Sequence, residues 1–275
     1  MSVILEMLSY PFLVRALVVG VLVSLCASLL GTSLVLKRYS MIGDGLSHVG
    51  FAALAIAYPL GFSPLYISIP ICVIAAFFLL QLKDSAKIKG DAATALMCSG
   101  ALAVGVMVIS LTTGMNTDVC NYMFGSILAM SRSDLYISVV LSIAVLILYV
   151  MFFHRLFAVT FDEAFAEATG TNVRLYNMVI AILTAVTVVL GMRMMGTLLI
   201  SNLIVFPALT AMRVTKKFKT TVILSAGIAL FCFFAGLIFS YLHSVPTGAC
   251  IVVTNIIAFI LFWSVEKWKE ERTVQ

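Results

Sequence analysis

Residues 12–36 read FLVRALVVGVLVSLCASLLGTSLVL. This run of 25 residues carries one charge, Arg15. As a helix it would be about 37 Å long at about 1.5 Å per residue. That crosses a hydrocarbon core of roughly 30 Å, and so long an apolar run reads as a membrane span. The texture recurs down the chain. Nine apolar segments stand at 12–36, 43–60, 64–82, 92–112, 134–153, 175–192, 195–212, 220–241 and 248–265. They must be helical, because lipid offers no partner to an open sheet edge. The sequence therefore predicts an all-α, polytopic membrane bundle of about nine transmembrane helices, or eight if the first run lies partly in the interface.

Composition says the same. The chain has 275 residues, 63% of them hydrophobic and 11% charged, with mean hydropathy +1.16. A soluble domain is about 25% charged, so these charges cannot cover a water-soluble surface. No polar stretch is long enough for a second core. That excludes a fused ATPase, kinase or protease and leaves one transmembrane domain over 1–275. The six cysteines include no C-x-x-C pair. They read as small packing residues, not a thiolate site or a disulfide framework. The N-terminus has no basic n-region and no small-residue cleavage site, so the first run is expected to stay as a span.

Between the segments, the cations fall on alternate sides. Lys37, Arg38, Lys83, Lys87, Lys89, Arg155, Arg174, Arg213, Lys216, Lys217, Lys219, Lys267, Lys269 and Arg272 share one side. Arg15, Arg132 and Arg193 share the other. Fourteen against three of the 17 cations assigns the first side, with the C-terminus, to the cytoplasm. The net charge of +5 is this asymmetry, not a nucleic-acid footprint. Pro11 suits a first helical turn. Pro207 lies inside a span and is expected to kink it. Tyr58-Pro59-Leu60-Gly61 and Ser63-Pro64 read as a tight turn.

Residues 41–50, MIGDGLSHVG, put two ionisable groups in a span. Asp44 and His48 are four apart and share a helical face. A carboxylate and an imidazole together suit a divalent ion such as zinc or manganese. The plainer reading is an interfacial Asp44 favoured by the helix dipole, with His48 as its i+4 partner. Both stand on spacing alone. Ser47 and the glycines keep this face small, so another helix can approach. Further ligands must come from elsewhere. Asn202, Ser201 and Thr197 are polar positions in the seventh span, although each suits a backbone carbonyl equally well. His243 ends the eighth span at the outer mouth, where it is a candidate to receive metal.

Residues 160–170, TFDEAFAEATG, form a different element. Thr160 and Glu163 have capping-box spacing, and Gly170 is placed to end the helix. The 161–169 helix spans about 13 Å, too short to cross. Phe161 and Phe165 would make one apolar knob, rimmed by Asp162, Glu163 and Glu167. Such a helix needs something to dock on, and its carboxylates make anionic lipid headgroups a poor choice.

Taken together, the chain resembles the membrane permeases of zinc/manganese-type metal-ion ABC importers. The resemblance rests on KRYSMIGDGLSH (37–48), IKGDAA (88–93), FDEAFAEATG (161–170), GTLLISNLIVFPA (196–208) and VPTGA (245–249), in that order over about 12–265. It implies a type II ABC importer-like fold and a homodimer of permeases. It also implies two cytoplasmic ATP-binding subunits and an extracytoplasmic metal-binding protein. Asp44 and His48 would be transient metal ligands. The 161–169 helix, with Phe161, Asp162, Glu163, Phe165, Glu167 and Gly170, would be the coupling helix in a groove of the ATPase. Two departures stand out: Gly45 where alanine is common, and Asn202 where a small apolar residue is usual.

The function expected is passage of a divalent ion, zinc before manganese before iron, as substrate and not as a resident cofactor. No G-x-x-x-x-G-K-[ST] loop is present, so ATP is expected on the partner. Two rival classes are an ion-coupled secondary transporter and an intramembrane metalloenzyme. The first needs more buried carboxylates. The second lacks an H-E-x-x-H motif.

Overall fold

The structure is a computed structural model describing residues 9–57, 59–61, 64–84, 90–112 and 132–273. Lys87, Lys89, Tyr58 and Ser63, named above, and Cys120, one of the six cysteines, lie outside the described residues. The described residues form eleven helices and no strands. They are α1 (Pro11–Leu36), α2 (Ile42–Ala57), α3 (Pro64–Asp84), α4 (Gly90–Thr112), α5 (Arg132–Met151), α6 (Phe153–Phe161), α7 (Glu163–Ala168), α8 (Val173–Met195), α9 (Thr197–Val214), α10 (Phe218–His243) and α11 (Thr247–Thr273).

Each of the nine expected segments coincides with one helix to within a few residues, except at the end of α11. Six helices are long and apolar enough to cross a membrane: α1, α4, α5, α8, α10 and α11. Apolar stretches in α2, α3 and α9 are shorter. The joint expected near Arg193 falls at Gly196, where φ is 87° and ψ is 160°. That backbone region is essentially open to glycine alone, and α9 begins at the next residue. Pro207 sits inside α9, and the helix runs on through it. The 248–265 segment is longer than expected: α11 continues to Thr273 because its last turns are strong helix formers such as Glu266, Lys267 and Glu271.

α6 was not expected as a separate helix. Its face of Leu156, Val159 and Thr160 is buried, while Phe157 and Phe161 stay exposed. Nine residues make about 14 Å, so it cannot cross, and an apolar-run criterion passes over it.

α2 is the centre of the bundle. Every residue in it is buried except Asp44 and Ile56, as a helix apolar all round should be. It packs against α4, α3, α9 and α8. α8 in turn touches α1, α3, α5, α6, α7, α9 and α11. α1 ends in a Schellman stop: Tyr39 N–H donates to the Leu34 carbonyl at 2.8 Å and Arg38 N–H to Val35 at 3.0 Å. Arg38 takes the left-handed conformation there, φ 59°. That stop fixes Lys37 and aims the chain into α2.

Candidate metal pathway

Asp44 lies in the first turn of α2 and His48 one turn on. Asp44 Oδ1 is 3.8 Å from His48 Nε2, so the expected shared face exists. A third group joins them. Cys98 of α4 places Sγ 3.6 Å from Asp44 Oδ2. One donor atom from each of the three lies within 4.8 Å of the others. This is the one group of three His, Cys, Asp or Glu side chains so arranged among the described residues. Metal–ligand bonds of about 2.0–2.3 Å put donor atoms about 3–4 Å apart. The widest pair in the cluster must close by up to roughly 1–2 Å to hold an ion.

Its electrostatics favour a cation. Asp44 and His48 side chains are 30% and 10% exposed, and no lysine or arginine pairs with Asp44 among the described residues. The buried His48 Nδ1 has no hydrogen-bond partner. Leaving such an atom unsatisfied costs about 1–3 kcal/mol, so packing alone does not explain an imidazole here. Ser47 Oγ is turned back to the Asp44 carbonyl at 2.8 Å and serves the helix, not the cluster.

Close helix approach builds the site. A Cβ on Gly45 would stand 2.9 Å from Met97 Cε and 3.8 Å from Cys98 Sγ. Gly45 therefore faces α4 directly opposite Met97 and Cys98. On the α9 side, a Cβ on Gly43 would lie 3.5 Å from Ser201 Oγ. That hydroxyl is buried without a partner. Ser201 thus faces α2, and Asn202 is half-buried at the next position of α9.

The remaining cysteines and candidate residues are placed as follows among the described residues. Cys98, read from sequence as a packing residue, lies in the cluster. No sequence signal links it to residues more than fifty positions away; only the α2–α4 packing does. Cys26, Cys72, Cys232 and Cys250 are free and buried, as expected of packing cysteines. His243 stacks on Phe239 with ring centroids 4.3 Å apart. Its Nδ1 lies 3.2 Å from the Phe239 carbonyl. It joins no three-residue metal-capable group among the described residues. Arg193 pairs with Asp134 of α5 at 2.6 Å, both side chains being largely buried.

The short helix also differs in detail. α7 covers Glu163–Ala168, and its N-cap is Asp162, whose carboxylate accepts from Phe165 N–H at 2.9 Å. Thr160 does not cap it; its hydroxyl donates to the Leu156 carbonyl within α6 at 2.6 Å. Asp162 is extended, φ −149° and ψ 98°, and separates the two helices. Phe161 therefore ends α6, packed edge-on to Phe218 with centroids 5.7 Å apart, while Phe165 sits on α7. The expected single knob is divided between two helices. Gly170 ends α7 as expected, at φ 80°. Thr171 N–H donates to Ala166 and Gly170 N–H to Glu167, both at 2.9 Å, which is a Schellman stop. The expected acidic rim is smaller, because Asp162 caps the helix and Glu163 bonds Lys37 and Asn177 Nδ2. Glu167 remains exposed.

Comparison with known proteins gives a consistent picture. Residues 9–266 match the model of the ABC 3 transport family. The chain is 31% identical over 252 residues to the manganese import system permease protein ScaB of Streptococcus gordonii, covering 92% of this chain and 90% of that one. It is 28% identical over 261 residues to the manganese transport system membrane protein MntC of Halalkalibacterium halodurans, covering 94% and 89%. Among solved structures, PsaBC from Streptococcus pneumoniae in complex with Fab matches with TM-score 0.84 and 29% identity, over 94% of this chain and 95% of that one. A putative metal-chelate type ABC transporter in an inward-facing conformation shares the fold, with TM-score 0.70 at 14% identity. With the family model spanning nearly its whole length and a bundle that superposes on such a transporter, the chain belongs to the ABC 3 transport family as one of its membrane permeases.

Proposed function

We propose that this chain is the membrane-spanning subunit of an ATP-driven importer of a divalent first-row metal, with manganese as its ion. The observation that carries the chemistry is the Asp44–His48–Cys98 cluster, partly buried between α2 and α4 and without a lysine or arginine partner among the described residues. The ion comes from the relatives, named for manganese transport. The sequence alone had put zinc first, because imidazole suits it. Zinc stays as the second reading for a specific reason: the cluster adds a sulfur to that imidazole, and sulfur favours softer ions than manganese.

In this reading the ion arrives from an extracytoplasmic binding protein and exchanges water for Asp44, His48 and Cys98. It leaves toward the cytoplasmic ATP-binding subunits. Three ligands are few enough to release it, whereas a closed four-ligand site holds its metal. Asp44 supplies charge, His48 a nitrogen donor, and Cys98 a sulfur that ligates once its proton is lost. The α7 helix, with Phe165 and Glu167 exposed on it and Phe161 beside it, is the contact with the ATP-binding subunit. A second copy of the chain completes the translocation unit. α4, α5 and α11 suit that interface or lipid, since less than a third of each apolar window is buried within the protein.

The test is uptake of manganese and zinc, each alone and in competition, by transport-deficient cells expressing the permease with its ATPase and binding protein. Manganese uptake that resists equimolar zinc is expected. Zinc uptake that excludes manganese would move the assignment to the second reading, and uptake of neither would reject it. The same reading places the C-terminus in the cytoplasm, from the cation asymmetry. A fluorescent reporter fused after Gln275 should be lit, and a periplasmically active phosphatase there silent. The reverse pattern would invert the topology.

A further inference from the structure

α7 is joined to the bundle by little. Ala166 is its buried residue, while Ala164, Phe165 and Glu167 are exposed. Among the described residues, three side chains from three helices form a polar triangle that ties it there. Lys37, at the end of α1, donates to Glu163 Oε1 at 2.5 Å and to Asn177 Oδ1 of α8. Asn177 Nδ2 donates to the same Glu163 oxygen at 3.2 Å. Tyr39 lies against the ammonium as well, its ring centroid 5.8 Å away.

The tie is asymmetric in burial. The Lys37 side chain is 4% exposed and that of Glu163 51%. An exposed pair could part freely, because water replaces each partner. Here Glu163 is open to water while the lysine side chain is almost wholly enclosed. Burial draws the Lys37 pKa below the ordinary lysine value, and Glu163 draws it back up. If α7 moves and Glu163 leaves, a buried cation remains with an amide oxygen as its chief partner, which is costly. The cheaper course is for Lys37 and Asn177 to follow. Their helices reach the whole bundle: α1 packs on α5, α8, α9 and α10, and α8 on α2 and α3.

We propose that Lys37, with Asn177, is a positioning residue that carries displacement of α7 into α1 and α8, and so links ATP turnover to metal passage. The inference rests on α7 being the ATPase contact. A bland alternative exists in which the triangle merely braces α7 in its place. The two differ in the ratio of ATP hydrolysed to metal moved.

The experiment uses the complete complex of permease, ATPase and binding protein in proteoliposomes, with manganese as the transported probe. Lys37→Met keeps the aliphatic stem and removes the charge. It should co-purify with the ATPase at wild-type yield and hydrolyse ATP within about twofold of wild type, while uptake falls about tenfold, so that ATP per ion rises by about that factor. Asn177→Leu should uncouple in the same direction but less. The exchange Lys37→Glu with Glu163→Lys should recover uptake that neither single change retains. The proposal is overturned if Lys37→Met transports normally, or if hydrolysis and uptake fall together with loss of the ATPase. A wild-type complex whose ATPase binds without α7 (for instance, with Phe165→Asp causing no loss of association) would remove the reading of α7 itself, and with it this inference.

Discussion

His48→Leu should abolish metal uptake and at the same time leave the protein as stable as before or more so. Loss of uptake follows from removing one of three donors in a site that already has few. A tenfold loss of affinity is about 1.4 kcal/mol, and deleting a ligand should exceed that. Retained stability follows from the buried Nδ1 without a partner. A leucine of similar volume leaves nothing unsatisfied, and relief of about 1–3 kcal/mol is the expected scale. Asp44→Ala should match it in uptake, because it removes the carboxylate nearest both other donors. Thermal unfolding in detergent and metal uptake in cells check the two halves separately. Normal uptake by both variants removes the site. A large fall in the melting temperature of His48→Leu would make His48 a structural residue instead.

Among the described glycines, Gly31→Ala should be the most damaging single methyl. A Cβ there would stand 1.9 Å from the Ile204 carbonyl oxygen of α9. That atom belongs to helical backbone, so α1 and α9 must separate to admit it. Overpacking a core costs about 1–3 kcal/mol when side chains can shift, and more when backbone must. Gly45→Ala supplies the control. Its Cβ would meet the far end of Met97 at 2.9 Å, a flexible chain that can swing aside, and Thr94 Cγ2 at 3.1 Å, which a shift of a few tenths of an ångström relieves. Gly31→Ala should therefore lose most folded protein on membrane extraction, and Gly45→Ala little. Equal recovery of the two would mean that α1 and α9 do not approach as described.

Some of this was legible in the sequence and some was not, for physical reasons. Lipid forces each span to be a self-contained apolar helix, so nine of the eleven helices could be read from local composition. The Asp44–His48 face was equally local, since four residues make about one turn. α6 escaped because its apolar residues occupy one face of a nine-residue helix, where windows tuned to spans average them away. The cap of α7 lies two residues later than expected because Thr160 is inside α6, and Asp162, extended between the two helices, is the residue placed to accept from the first turn. Cys98 and Asn177 were beyond reach altogether. Their roles depend on which helices lie side by side, and a hydropathy pattern carries no such information. The ion was not legible either, because oxygen and nitrogen donors admit several.

The joint between α8 and α9 has a mechanical consequence. It consists of Gly196 alone. With about 3.8 Å between successive Cα atoms, Met195 and Thr197 can never stand more than about 7 Å apart. No slack exists there to absorb a stroke. α8 holds Asn177 near one end and Arg193 near the other, and α9 starts where it stops. A swing that enters α8 at its Asn177 end would thus reach the head of α9 with little play between the two. Ser201 sits a little over one turn below that pivot, on the side that meets α2. The permease has, in effect, a crank with a single pin.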